Sequence, residues 1–225
     1  WSFCYAKDKT LPKAKAAPAG AGSVWTWTAL DRDSKLIISY FIGGRDAACA
    51  LAFMEDLRSR LANRVQLTSD GHTAYPPAVE TAFGTEIDYA QLIKVFGPAP
   101  DGPNTRYSPP PCIGARKTEV CGTPNVGDVS TSHVERSNLS FRMHMRRYTR
   151  LTNAHSKKFE NHCHMVALYT VWYNFVRVHS ALRVSPAMEA GLTNRLLNME
   201  DIVKLIDDAI PEAAKRGPYR KRNSN

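Results

Sequence analysis

Apolar and polar positions alternate through much of the first hundred residues. Residues 1–6 are rich in β-forming side chains and predict a strand. Lys, Ala, Pro and Gly crowd residues 7–23 with no apolar period, so a basic loop is expected. V-W-T-W-T-A-L (24–30) and K-L-I-I-S-Y-F-I (35–42) are two strong β runs around D-R-D-S, the spacing of a hairpin. Asp31 and Asp33 fall in that turn, where Asp is favoured for local reasons. Gly43 and Gly44 end the third strand. Asp46 stands where it can cap a helix carrying Leu51, Met54, Leu57 and Leu61 at helical spacing. V-Q-L-T-S-D-G (65–71) is a short β run ending in Asp70. A second short helix with Val79 and Phe83 follows, and then I-D-Y-A-Q-L-I-K-V-F (87–96), another strand. The order β-β-β-α-β-α-β predicts an α/β fold, a mixed sheet with helices covering its faces.

Periodicity fails from 97 to 131, which is Pro- and Gly-rich and reads as an irregular insertion. It returns in S-H-V-E-R-S-N-L-S-F-R-M-H-M-R-R (132–147). On a helix, Glu135, Asn138, Arg142 and Arg146 fall within about 100° of arc. Val134, Phe141, Met145 and Tyr148 take another flank. A carboxylate, an amide and two guanidiniums thus line one edge while an apolar stripe grips a core. A solvated face with ion pairs at helical spacing has the same pattern. A longer helix is expected over 156–178, with Phe159, Cys163, Val166, Thr170 and Tyr173 on its stripe. Lys157 and Lys158 lie in its first turn. Ser185-Pro186 interrupts the pattern before a short helix at 187–190, and 199–210 forms a last amphipathic helix. The closing K-R-G-P-Y-R-K-R-N-S-N is a polar, basic tail expected to be disordered.

The chain has 225 residues, 43% hydrophobic, enough for one substantial core with appendages. Its net charge of +9 favours a polyanionic partner, nucleic acid before membrane. No apolar run approaches the roughly 18 residues needed to span a bilayer. Five cysteines and no secretory pattern argue for free thiols and a cytoplasmic setting, nucleoid-associated in a bacterium. Zinc finds no support: Cys112 and Cys121 flank a Gly-containing loop without the usual spacing. His162 and His164 would point about 200° apart on a helix.

Two carboxylates remain. Asp70 ends the fourth strand beside Gly71, which allows a tight turn, and Asp before Gly is also ordinary turn chemistry. Glu135 opens a helix 65 positions later. Two carboxylates brought within about 4 Å repel by several kcal/mol at an effective dielectric of about 20. A divalent cation resolves the conflict, and hard oxygen ligands suit Mg²⁺ or Mn²⁺.

T-S-D-G-H-T-A-Y, H-V-E-R-S-N-L-S-F-R-M and Y-N-F-V-R-V-H-S-A-L-R-V-S-P-A-M together resemble the DDE transposases of the insertion-sequence-one type, within the integrase and RNase H-like superfamily. The opening W-S-F-C-Y-A-K resembles that family's first strand, and the likeness runs to about Thr193. It implies an RNase H-like mixed five-stranded sheet flanked by helices over 1–192, with a helical C-terminal extension over 193–225. Asp70 and Glu135 would be the second and third catalytic carboxylates and would ligate Mg²⁺ or Mn²⁺, two ions in all. Asn138, Arg142 and Arg146 would border a DNA channel. Arg147, Lys157 and Lys158 would touch phosphates. Arg177 and His179 are further candidates for backbone contact, and Tyr173 reads as core. The family's first aspartate lies just ahead of W-S-F, so it is expected upstream of Trp1; Asp8, Asp31 and Asp33 lie in the wrong places. The implied activity is phosphodiester hydrolysis and strand transfer on double-stranded DNA by a homo-oligomer. The alternative is a DNA-binding module of the same fold without catalysis.

Overall fold

A computed structural model of the chain describes residues 1–98, 110–149 and 152–210. It divides into two compact units, Trp1–Val171 and Trp172–Asn225. The basic tail (215–225) lies outside the described residues, as do 211–214 before it and 99–109 of the expected insertion.

The first unit is a mixed α/β structure whose elements follow the expected order. They are β1 (Ser2–Cys4), β2 (Gly22–Leu30), β3 (Ile37–Gly43), α1 (Ala47–Arg60), β4 (Gln66–Asp70), α2 (Tyr75–Phe83) and β5 (Asp88–Phe96). β1, β2 and β3 pair antiparallel. In the β2–β3 turn the Asp31 carboxylate accepts from the Ser34 N–H at 2.8 Å and from its hydroxyl at 2.5 Å. Asp31 is thus consumed locally, and exposed Asp33 pairs with its neighbour Arg32. β4 and β5 run parallel with Asp70 opposite Leu92, the arrangement that a helical crossover such as α2 permits.

The segment 97–131 is more ordered than its composition suggests. Within it β6 (Cys112–Cys121) pairs antiparallel with β5, so Cys112 and Cys121 bound a strand and not a loop. C-I-G-A-R-K-T-E-V-C carries no clear alternation because almost every position of this edge strand is exposed. Among the described residues the strands form two three-stranded sheets, β1-β2-β3 and β4-β5-β6, where one of five was expected. β1 supplies three residues, too few to offer a second long edge.

Packing centres on α1. Asp46 caps it as the sequence implies, accepting from the Cys49 N–H at 2.9 Å. The buried stripe is Ala50, Phe53, Met54 and Leu57; Leu51 and Leu61 pack at its margin. These side chains meet Trp27 of β2, Ala78, Val79 and Phe83 of α2, and Ile87 and Tyr89 at β5. Truncating Leu57 to Ala should cost about 2–5 kcal/mol of unfolding free energy, measured by urea denaturation.

Two helices are shorter than periodicity predicts. α3 (Ser132–His144) stops before Met145, which is extended at φ −116° and ψ 104°, and Arg146–Tyr148 forms a 3-10 turn. The break lets Phe141, Met145 and Tyr148 all turn inward. α4 (Phe159–Val171) starts late because Ser156 is extended, bridging to Cys4 and accepting from the Tyr5 N–H at 2.7 Å. α4 buries His162 and exposes His164, as their angular separation requires. All five thiols are free. No helix among the described residues is long and apolar enough to cross a membrane.

In the second unit, Trp172–Val176 is a π-helical turn, where the Arg177 N–H reaches the Trp172 carbonyl at 2.9 Å, so the helix expected over 156–178 is not regular throughout. α5 (Pro186–Glu189) is capped by Ser185. α6 (Met199–Ala209) opens with a reciprocal capping box between Asn198 and Asp201.

A buried polar chain ties the first unit together. His162 shares one hydrogen bond with Ser156 Oγ (2.8 Å) and another with the Tyr148 hydroxyl (3.1 Å). Tyr148 in turn reaches Thr26 Oγ1 at 2.5 Å. Burial, then the positive charge of Arg147, push His162 down from 6.5 to about 4. The unfolded chain therefore takes up this proton at a pH where the folded chain refuses it. Stability should fall as pH drops from about 6.5 to about 4. His162→Gln should lower stability at pH 7 and flatten that part of the profile, read from urea midpoints across the range.

Candidate functional site

Asp70 reaches the cleft because β4 ends there and the backbone turns at once. Its Oδ1 accepts from the His72 N–H at 3.1 Å, the local turn chemistry anticipated for Asp. A Cβ at Gly71 would come within 3.0 Å of Ile93 Cγ1, so the close approach of this turn to β5 favours Gly. Buried Gln91 pins the turn from β5, its Nε2 donating to the carbonyls of Asp70 (3.1 Å) and His72 (3.4 Å). The His72 ring lies against Trp27 at 5.6 Å, with Tyr75 edge-on at 5.8 Å. Burial and the nearby Arg45 charge lower the His72 pKa, against the opposing pull of Asp70.

Glu135 sits in the first turn of α3, where a carboxylate also suits the helix dipole. The residue before the helix, Thr131, does not cap the backbone with its side chain. Its hydroxyl donates instead to Glu135 Oε1 at 2.7 Å. From β5, Lys94 Nζ approaches both carboxylate oxygens, 2.6 Å from Oε1 and 2.7 Å from Oε2. Burial raises the Glu135 pKa, but the hydrogen bonds from Lys94 and Thr131 and the Lys94 charge outweigh it, leaving the group below the usual value.

Asp70 and Glu135 line one open cleft of about 510 Å³, together with Arg45, His72, Lys94 and Thr131. The donors suit a hard divalent cation, which keeps several waters and needs only one or two carboxylates from protein. The ammonium already seated on Glu135 shows that this carboxylate holds positive charge. Among the described residues no group of three or more His, Cys, Asp or Glu converges for metal binding.

The remaining candidates divide by surroundings. Asn138 and Arg142 are exposed on α3, and Arg146 is exposed beyond its end. Because α3 stops at His144, Arg146 does not continue the arc on which the sequence places it. Arg147 is half-buried and donates from Nη1 to Ser156 Oγ at 3.0 Å, while its carbonyl accepts from Ser2 Oγ at 2.8 Å. That points to a holding role for this side chain. Lys157 and Lys158 are exposed just before α4, with Lys157 Nζ bonded to the His155 ring at 2.7 Å. Arg177 belongs to the second unit, its guanidinium 5.6 Å from the Trp172 ring centre and 5.9 Å from that of Tyr173. The His179 backbone there donates to the Val184 carbonyl. Tyr173 is buried.

Sequence reasoning missed Lys94, Thr131, Gln91 and Arg45. The pairing of β4 with β5 places Lys94: in the register Asp70↔Leu92 it lies two positions past Leu92, on the same sheet face as Asp70. No family model matches this chain, and comparison with curated proteins and with solved structures yields no match either.

Removing the Gln91 amide should loosen the Asp70 turn. Gln91→Ala is expected to cost about 1 kcal/mol or somewhat more, since it strips partners from a poorly solvated turn. Urea denaturation measures the cost, and faster amide exchange at His72 would locate it.

Proposed function

We infer that the chain is the catalytic core of a DDE-type DNA transposase with an RNase H-like arrangement of strands. One observation carries the reading: carboxylates at the end of β4 and in the first turn of α3, 65 residues apart, line a single cleft. The element order from β1 to β5 supports it, as does the resemblance of the segments around Asp70, Glu135 and Tyr173 to that family. In this reading Asp70 and Glu135 would hold Mg²⁺ or Mn²⁺, whose chemistry is activation of an attacking oxygen and stabilisation of a leaving oxygen at phosphorus. Thr131 orients Glu135 and Gln91 holds the Asp70 turn. Hydrolysis at an element end and strand transfer by the freed 3′-hydroxyl are both in-line displacements, so one site serves both. Exposed Arg142, Arg146, Lys157 and Lys158 would lie along the DNA backbone, with Asn138 beside them and the protein multimeric on paired ends.

One observation favours a second reading, a DNA-binding module without catalysis. The two cleft carboxylates share their space with two cations, Lys94 and Arg45, so the cleft is already neutral. The readings separate in a nicking assay of the protein on terminal-repeat DNA. Transposase chemistry requires Mn²⁺- or Mg²⁺-dependent cleavage that Asp70→Asn and Glu135→Gln each abolish; cleavage surviving both substitutions would sink it. For the interface, Arg142→Gln with Arg146→Gln should weaken DNA binding on any sequence. It should also reduce the slope of log affinity against log salt by about 2, roughly 0.9 for each phosphate no longer neutralised.

A further inference from the structure

We propose that Lys94 is a resident counter-ion for Glu135, one that a divalent cation must displace to bind. The proposal rests on the reading of Asp70 and Glu135 as cation ligands and adds a residue that this reading does not contain.

Lys94 Nζ lies 2.6 Å from one Glu135 oxygen and 2.7 Å from the other, so the ammonium straddles the carboxylate. A metal ion needs the same lone pairs at about 2.0–2.1 Å for Mg²⁺. Both cations cannot hold that position on the carboxylate together. The pairing is also built to yield. The Lys94 and Glu135 side chains are 36% and 46% exposed, so water screens the pair and its net stabilisation is small. Lysine carries its charge on a flexible four-carbon stem and can withdraw without moving the strand.

Glu135 does not depend on Lys94 for its orientation. The Thr131 hydroxyl, from a residue only 5% exposed, donates to Oε1 at 2.7 Å and holds the carboxylate independently of Lys94. Loss of Lys94 therefore leaves a positioned, unneutralised ligand and not a wandering one. Charge balance points the same way. Asp70 and Glu135 carry two negative charges, Arg45 and Lys94 two positive ones, and all four line the cleft. Entry of a divalent ion, with Lys94 freed but still on the same sheet face as Asp70, makes a neutral cleft doubly positive. Such a cleft attracts a phosphodiester backbone, and the released ammonium is positioned to meet it.

The test is Mn²⁺ binding to the 225-residue chain, followed by the electron paramagnetic resonance signal of free Mn²⁺ without DNA. Lys94→Met removes the charge and keeps the stem; it should tighten Mn²⁺ binding by about two- to fivefold, the scale of a partly screened ion pair removed from competition. Lys94→Gln should act in the same direction, and Lys94→Arg, which keeps the charge, should stay near the parent value. Adding Glu135→Gln to Lys94→Met should erase the gain. Thermal melts confirm that each variant is folded. Unchanged or weaker Mn²⁺ binding in both Lys94→Met and Lys94→Gln overturns the counter-ion role. If Glu135→Gln still weakens binding in that case, the carboxylates remain cation ligands. If no variant binds Mn²⁺, or if Asp70→Asn and Glu135→Gln have no effect on binding, the ligand reading falls, and Lys94 with it.

Discussion

The cleft depends on one register, the parallel pairing of β4 with β5 that sets Asp70 opposite Leu92. Side chains alternate along a strand, so this pairing decides which β5 residues share a face with Asp70, and Lys94 is among them. A slip of one residue would send Lys94 to the opposite face and carry Tyr89 out of the core. Burial prevents that slip. Ile87, Tyr89 and Ala90 are almost fully buried, with Ile87 and Tyr89 against α1 and α2. The hydrophobic packing of one sheet face therefore fixes the electrostatics at its end.

Local rules bend where the two carboxylates meet. A threonine ahead of a helix normally turns its oxygen to an unpaired backbone N–H; Thr131 spends its hydroxyl on Glu135 instead. The Asp70 turn needs a buried glutamine to hold its carbonyls. Departures of this kind gather at sites kept for something other than stability. Compensation lies elsewhere in the unit. The chain from Thr26 through Tyr148 and His162 to Ser156 satisfies its polar groups in the interior and links β2 with the turn after α3, with α4 and with the segment just before α4. Arg147 extends it to the start of β1 through the bond from Ser2.

Most elements up to Phe96 are legible because they bury one face and so imprint a period of two or near four on the sequence; β5, with Tyr89, Ala90 and Gln91 buried in succession, is legible as a run of β-forming residues. Asp70 and Glu135 are legible as residue types at element boundaries. What escapes does so for identifiable reasons. β6 buries almost nothing, so no alternation marks it. The end of α3 depends on Tyr148 and Met145 finding the core, a tertiary effect that helical spacing cannot anticipate. Lys94 reads as one more polar position on a strand; its meaning comes from Glu135, 41 residues away, brought to it through space. Arg147 looks like its neighbours in a basic run, and only Ser156 distinguishes it.

β6 has one further consequence. A ten-residue strand on the outside of a sheet offers free backbone groups to any other extended chain, including another copy of itself. Two features of this strand oppose such recruitment. Arg116 and Lys117 stand side by side at its middle, so two such edges meeting antiparallel there would bring like charges together. The register shifts that β6 makes against β5 near each end also interrupt the straight run of backbone that a growing fibril would copy. The strand least visible in the hydrophobic pattern thus carries, in its polar residues, features that work against edge-to-edge pairing.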